Sequence, residues 1–330
     1  MAKLELSIAI GNYDRVRPLI DGTVTIDGVD PVFLLLGPEE IFYRAFRRAE
    51  FDICELSLSS FAVSAAAGNN PYVGIPVFPS RAFRHTSIYI RTDRGIRTPD
   101  DLRGRRIGTP EYQLTACVWA RILLEDQYGV KPADILWVQG GLENAGRIEK
   151  IALNLPADIS IEKVPRDATL SALLEAGAID GIISPRAPSC FDRGNYEVSW
   201  LFADPVARAS EYFRSTGIFP IMHLIGIRRD LVERHRWLPA AIYQAFSKAK
   251  AAAIGSLADT SASKVSLPFV EEGLRAAREL MGNDFWSYGL EANRKVLENF
   301  LRHHHAQGLS ARLLDINDLF HPGSFDLPKI

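Results

Sequence analysis

The sequence predicts a two-lobed α/β protein with a ligand cleft between lobes that are joined by a two-stranded hinge. Strand and helix signals alternate along the first eighty residues, which is typical of a mostly parallel sheet with helices on both faces. The chain has 330 residues, 47% of them hydrophobic, whereas single cores stop growing at roughly 250–300 residues. We therefore expect one lobe from residues 1–92 plus 205–330 and a second lobe from residues 93–204.

Apolar runs and helix boundary signals give the elements of the first lobe. Pro38, followed by Glu39 and Glu40, indicates a helix start, because proline suits the first turn and the helix dipole favours acids there. The predicted strands are Leu4–Ile10, Val32–Leu36, Phe51–Leu56, Val73–Phe78 and Phe219–Ile227. The predicted helices are Asp14–Ile20, Pro38–Arg48, a segment from Ser57 or Ser59 to Ala67, Pro239–Leu257, Pro268–Leu280 and Leu290–Ala306.

The second lobe shows the same alternation. Ser87–Arg91 is predicted to be the strand in which the chain crosses out of the first lobe. The strands predicted within the second lobe are one ending at Gly108, Ile135–Val138, Ser160–Val164 and Ile179–Ile183. Its predicted helices are a short one from Thr98, then Gln113–Tyr128 and Ser171–Ala176.

Composition excludes several classes of protein. The net charge of -2 argues against a nucleic-acid partner or an anionic membrane surface. Cys54, Cys117 and Cys190 are odd in number and lack CxxC spacing, which argues against disulfides and structural zinc. The three histidines 303–305 point about 100° apart on a helix and do not suit one metal ion. Without a signal peptide or membrane span in the sequence, we expect a cytoplasmic protein.

Candidate site residues follow the predicted strands, where open α/β sheets bind ligands. The densest group is the stretch 78–87, in which Arg81 and Arg84 suit carboxylates, His85 can move a proton and Ser87 adds a hydroxyl. The alternative interpretation of this stretch is a solvated loop with salt bridges.

A second group spans residues 108–115, between a strand and a long helix. Thr109, Tyr112 and Thr115 suit an anion at a helix N-terminus. Glu111 would face the same anion, so it is either an acid kept protonated by burial or a first-turn acid that complements the dipole.

The remaining candidates lie near other predicted strand ends. His223 lies in an apolar strand, which fits either a core histidine or a reserve proton carrier. The others are substrate-binding candidates, namely Asn12, Arg15, Ser57, Ser59, Arg186, Arg214 and Thr216.

Several of these segments resemble one enzyme family. They are Asn12–Arg15, Phe51–Ser59, Gly74–His85, Gly108–Gln113, Thr216–His223, Asn293-Arg294 and Asp318–Phe320. On these strings the chain resembles the 4,5-dihydroxyphthalate decarboxylase family over nearly its whole length. The resemblance implies a type II periplasmic-binding-protein fold and a cytoplasmic carboxy-lyase of phthalate degradation, whose ligand is a small aromatic di- or monocarboxylate. The stretch 140–157 matches nothing in that pattern.

Chemistry, rather than the resemblance, assigns the catalytic roles. Protonating the ring carbon before CO₂ leaves avoids an unstabilised aryl carbanion and needs no redox cofactor or metal. We expect His85 and Glu111, with His223 in reserve, to transfer protons. Arg81 and Arg84, with Arg186 or Arg214, would hold the carboxylates, and lobe closure would exclude water.

Other functions on the same scaffold stay open from sequence. A solute-binding protein without catalysis is the main alternative, because a fold does not fix a function. A transcription-factor effector domain is a weaker alternative, since no helix-turn-helix precedes it. An enzyme that acts on another aryl acid is a third alternative. The sequence is compatible with a homo-oligomer.

Overall fold

The computed structural model describes residues 3–324, which divide into two compact units. The first unit comprises residues 3–81, 221–298 and 315–324, and the second comprises residues 82–220 and 299–314. These boundaries differ from the expected ones, because residues 82–92, 205–220 and 299–314 belong to the second unit. Pairing and packing explain the difference: Ile88–Arg91 pairs within the second sheet, and Phe300 packs on Trp119 with ring centroids 5.3 Å apart.

Helices and strands alternate along the chain. Up to residue 81 they are β1 (Leu4–Ile10), α1 (Arg17–Ile20), β2 (Val29–Leu35), α2 (Pro38–Arg48), β3 (Ile53–Ser57), α3 (Leu58–Ala66) and β4 (Tyr72–Arg81). The second unit follows with β5 (Ile88–Arg91), β6 (Arg106–Thr109), α4 (Thr115–Tyr128), β7 (Leu136–Gln139), β8 (Ile161–Lys163), α5 (Leu170–Glu175), β9 (Gly181–Ile183), α6 (Ser189–Asp192), β10 (Val198–Trp200) and α7 (Pro205–Thr216).

The last third of the chain begins with a long strand. Its elements are β11 (Ile221–Arg228), α8 (Arg229–Arg234), α9 (Leu238–Leu257), α10 (Val270–Met281) and α11 (Arg294–Ala306). Single 3₁₀ turns occupy Asp14–Val16, His85–Ser87, Thr92–Arg94, Pro99–Leu102, Pro132–Asp134, Glu291–Asn293, Ile316–Asp318 and Pro322–Ser324.

The first sheet has the strand order β2-β1-β3-β11-β4. β1 pairs in parallel with β2 and β3, whereas β11 runs antiparallel between β3 and β4. The carboxyl ends of β1, β3 and β4 therefore share one edge with the start of β11. In this register His223 lies opposite Ser57, two residues beyond Glu55.

The second sheet has the order β10-β5-β9-β6-β7-β8. β6, β7, β8 and β9 are parallel, so their carboxyl ends, at Thr109, Gln139, Lys163 and Ile183, share one edge. β5 is antiparallel to both β9 and β10. The sequence predicted neither β10 nor α7, although Asp204 caps α7 by accepting from Ala207 N at 2.9 Å and Pro205 follows it.

A buried arginine holds the core of the second unit together. Arg121 is 1% exposed and stacks 3.7 Å from the Tyr112 ring centroid. Its Nη2 donates to the Tyr112 carbonyl at 2.7 Å, and its Nε donates to Gln307 Oε1 at 2.8 Å. The carbonyl and amide oxygens thus replace part of the hydration that the guanidinium loses.

Within residues 3–324, no helix combines the length and apolarity that a membrane crossing requires.

The close packing around one glycine of β11 gives a test of the core of the first unit. A Cβ added to Gly226 in β11 would lie 2.3 Å from Leu56 Cδ1 and 3.2 Å from Tyr72 Cβ. We expect Gly226→Ala to lower the free energy of unfolding by about 1–3 kcal/mol through overpacking. The control is Gly255→Ala in α9, where nothing lies within 4 Å and alanine should stabilise by roughly 0.5–1 kcal/mol. Urea unfolding of both variants measures this, and equal effects at the two positions would contradict the packing.

Candidate active site

A buried carboxylate and a histidine meet at the carboxyl edge of the first sheet. Glu55 of β3 is 0% exposed, and its Oε1 lies 2.5 Å from Nδ1 of His223. The two residues are 168 positions apart in sequence. Placing the antiparallel β11 directly beside β3 is what brings them together.

Glu55 is held as a carboxylate. Besides His223, it accepts from Gly11 N at 3.0 Å and from the Tyr13 hydroxyl at 2.9 Å. Burial raises the pKa of Glu55, but the charge of His223 and the hydrogen bonds outweigh burial, so the pKa lies below its ordinary value. Burial and the adjacent Glu55 raise the pKa of Tyr13, which stays a neutral phenol.

His223 keeps one ring nitrogen available. Its Nδ1 is bound to Glu55, while Nε2 has no hydrogen-bond partner within residues 3–324. The side chain is 17% exposed, and Phe42 packs edge-on with ring centroids 4.9 Å apart. A carboxylate on Nδ1 fixes the tautomer and stabilises the imidazolium, which is the arrangement that general acid–base catalysis uses.

Arg15 offers a fixed cation beside this pair. Its guanidinium carbon lies 4.4 Å from the Tyr13 ring centroid and 4.3 Å from that of Trp286. Nε donates to the Pro79 carbonyl at 2.5 Å, and Nη1 pairs with Asp14 at 3.0 Å. In the described part of the chain Nη2 has no hydrogen-bond partner. Stacking fixes the guanidinium plane, so Arg15 is preorganised for a carboxylate.

Arg81 reaches the same edge at the end of β4 but faces inward. It is 6% exposed, and its Nη2 donates to the Ser287 carbonyl at 2.8 Å and to Asn293 Oδ1. Burial lowers the pKa of Arg81 to about 9. These contacts tie the segment around residue 290 to β4, so Arg81 supports the edge.

The other predicted residues of the first unit have local roles. Ser57 caps α3 by accepting from Ser60 N at 3.4 Å, and Ser59 is fully buried in the same helix. Asn12 is exposed and accepts from Arg17 Nη1 at 2.9 Å.

His85 lies in the second unit in an apolar environment. It is 2% exposed, and neither ring nitrogen has a hydrogen-bond partner among the described residues. Phe202 and Tyr212 surround it, with ring centroids 5.2 and 5.8 Å away. Burial, with a smaller contribution from Arg208, lowers the pKa of His85 from 6.5 to about 4. A neutral, enclosed imidazole fits proton transfer less well than His223 does.

Glu111 is a buried residue of the second unit that forms ion pairs with two cations. Although it is 1% exposed, its Oε1 lies 2.6 Å from both Arg147 Nη2 and Lys150 Nζ. The sequence offered no sign of this pairing, because both cations come from the stretch 140–157, to which no role was assigned from sequence.

The remaining predicted residues of the second unit divide by exposure. Arg186 and Arg214 are exposed, whereas Thr109, Thr115 and Ser87 are buried. Burial lowers the pKa of Arg84 to about 10, and its Nη1 lies 3.5 Å from Ser87 Oγ. Tyr112 is buried under Arg121, and the Thr216 hydroxyl donates to the Tyr212 carbonyl at 2.6 Å.

Sequence reasoning undervalued three members of the site. Glu55 and Tyr13 lie in segments that carry the family resemblance but were not among the predicted site residues, and Trp286 was in neither group. The available signal for Glu55 was an acid between Cys54 and Leu56 in a predicted buried strand, because a buried acid requires partners. Nothing in the sequence signalled Trp286, which lies outside the helices and strands.

The buried environment of His85 should make the free energy of unfolding depend on pH. Between about pH 6.5 and 4 the unfolded chain binds a proton on His85 that the folded chain does not bind, so stability falls as the pH falls. Replacing His85 by leucine (His85→Leu) should remove about 3 kcal/mol of that pH dependence when it is followed over the whole range. Urea unfolding at pH 4.5 and 7 measures it, with His235→Leu as the control. An unchanged pH dependence in His85→Leu would contradict the neutral, buried imidazole.

Comparison with known proteins relates this geometry to an activity. A scan against protein-family models finds no match. The chain is 60% identical over 330 residues to a 4,5-dihydroxyphthalate decarboxylase of Comamonas testosteroni, covering 100% of both proteins. It is 61% identical over 215 residues to a 4,5-dihydroxyphthalate decarboxylase of Pseudomonas putida, covering 65% of this chain and 83% of that protein.

Among solved structures, the fold is similar to that of the periplasmic aliphatic sulphonate binding protein SsuA from Escherichia coli. The TM-score is 0.54 at 15% identity, covering 97% of this chain and 92% of that chain. The likeness confirms the expected periplasmic-binding-protein-like fold. Because the chain is 60% identical over its full length to the 4,5-dihydroxyphthalate decarboxylase of Comamonas testosteroni, it belongs to the 4,5-dihydroxyphthalate decarboxylase family.

Proposed function

We propose that this protein converts 4,5-dihydroxyphthalate to 3,4-dihydroxybenzoate and CO₂, with His223 as the proton donor. The observation that carries the proposal is the Glu55–His223 pair, 2.5 Å apart, beside the stacked guanidinium of Arg15. The substrate follows from the name of the relatives. The residue roles follow from the geometry of the first unit.

The chemistry requires a proton at the ring carbon that bears the leaving carboxylate. Direct loss of CO₂ would leave a carbanion in the ring plane, which the aromatic π system cannot stabilise. In 4,5-dihydroxyphthalate each carboxylate is para to a hydroxyl, whose oxygen lone pair stabilises the protonated ring. The C–C bond then breaks, its electron pair restores aromaticity, and CO₂ leaves.

His223 is suited to supply that proton. In the imidazolium form it donates from Nε2, and the ionised Glu55 on Nδ1 stabilises its positive charge. After proton transfer the imidazole is neutral and regains a proton from water. A positioned acid of this kind contributes about 10²–10⁴ in rate.

Arg15 is suited to hold a substrate carboxylate. Its Nη2 makes no hydrogen bond in the described part of the chain, and its plane is fixed between Tyr13 and Trp286. A preorganised guanidinium loses little conformational freedom on binding, so it orients the ring without a large entropic cost.

Turnover of the named substrate tests the proposal. The purified protein is mixed with 4,5-dihydroxyphthalate, and CO₂ and 3,4-dihydroxybenzoate are followed together. We expect equal amounts of both products. Tight binding without turnover, before and after divalent metals are added, would instead favour a binding protein for aromatic carboxylates.

Two substitutions test the proton donor. We expect His223→Asn to lower kcat by about 10²-fold or more, because asparagine has no ring nitrogen from which a proton could be donated to the substrate ring carbon. Glu55→Gln should also lower kcat, since glutamine no longer stabilises the imidazolium. The matched control is His235→Asn, a partly buried histidine in the turn before α9. If His85→Asn lost activity while His223→Asn kept it, the sequence-based assignment to His85 would be the better one.

A further inference from the structure

The second unit contains a cavity that the proposed proton transfer does not use. Its volume is about 670 Å³, and it lies at the carboxyl ends of β7 and β8. Its wall carries the cations Arg147, Lys163 and Arg166 together with the apolar Ile148 and Val164. Cavities of this size, with apolar surface and a few charged groups, are typical of sites for small organic ligands.

The charges around this cavity do not balance. Glu111 forms ion pairs with Arg147 and with Lys150, whose side-chain nitrogens each lie 2.6 Å from Glu111 Oε1. The side chains of Lys163 and Arg166 form no hydrogen bond or ion pair within residues 3–324. Two cations thus face the cavity without a protein anion.

Glu149, a carboxylate on the cavity wall, has neutral groups as its hydrogen-bond partners. Glu149 Oε1 accepts from Tyr112 N and Gln139 Nε2, each at 2.5 Å, and Oε2 accepts from Gln113 Nε2 at 2.9 Å. Burial raises the pKa of Glu149. Within residues 3–324 its oxygens contact these neutral donors and form no ion pair with Lys163 or Arg166.

Glu111 and Glu149 also fix the loop that walls the cavity. Glu111 reaches from the loop after β6 to residues 147 and 150, and Glu149 reaches back to residues 112 and 113. These reciprocal contacts hold Arg147 in place and make the cavity a preformed site, which lowers the entropic cost of binding.

We propose that this cavity binds an aromatic carboxylate through Lys163 and Arg166. An anion supplies the missing charge, and Ile148 and Val164 provide apolar surface for a ring. The position agrees with the rule that open α/β sheets bind ligands beyond the carboxyl ends of their strands. The proposal stands whether or not His223 transfers a proton, because it concerns the second unit alone.

Phthalate is the probe for this site, since it has two carboxylates but no hydroxyl to assist decarboxylation. Titration calorimetry of the full chain measures its Kd. We expect the double variant Lys163→Gln/Arg166→Gln to weaken binding at least about tenfold, because hydrogen bonds from a cation to a carboxylate are stronger than those from a neutral amide. The control is Lys248→Gln/Arg236→Gln, two exposed cations of the first unit, which should leave the Kd unchanged.

Steady-state kinetics of the same variants identifies the source of the carboxylate. A raised KM for 4,5-dihydroxyphthalate, with kcat unchanged, means that the cavity holds a carboxylate of the substrate. Weaker phthalate binding with unchanged KM means that it holds a separate molecule. Both results support the site. Equal Kd values in the wild type and the Lys163/Arg166 variant, or no phthalate binding by the wild type, would overturn it.

Discussion

The hydrogen bond between Glu55 and His223 is the contact on which the proposed chemistry depends. A carboxylate with 0% exposure would cost several kcal/mol without partners, and Glu55 has them in Gly11, Tyr13 and His223. Those partners come from the ends of β1 and β11, so the strand order of the first sheet is a condition of the pair. Removing either member would leave an uncompensated group at this edge.

Two histidines show how surroundings decide what a residue can do. His223 has a carboxylate on one ring nitrogen, and its second ring nitrogen has no hydrogen-bond partner among the described residues. His85 has aromatic rings on its sides and no partner among the described residues, so its charged form is disfavoured. Sequence patterns placed His85 in a polar stretch after a predicted strand and His223 within an apolar strand. They could not show the surroundings that decide between the two, because these are contacts between distant segments.

Sequence reasoning predicted the local elements better than their assembly. Capping signals such as Pro38 and Ser57 and the alternation of strands depend on neighbouring residues, so helices and strands could be located. The insertion of β11 between β3 and β4 depends on tertiary pairing, and so does the ion pair of Glu111 with residues 147 and 150. The predicted clustering of polar residues at strand ends identified the edge, but not which groups pair there.

Rates in H₂O and D₂O test the central claim most directly. If His223 delivers a proton to the ring carbon before CO₂ leaves, kcat/KM for 4,5-dihydroxyphthalate is lower in D₂O, because that proton moves in the slow step. We expect this solvent isotope effect in the wild type, measured at matched points of the pH profile. Equal rates in the two solvents, together with a slower reaction of a substrate that carries ¹³C in the carboxylate, would mean that the C–C bond breaks in the slow step. That result would contradict protonation by His223 as the slow step.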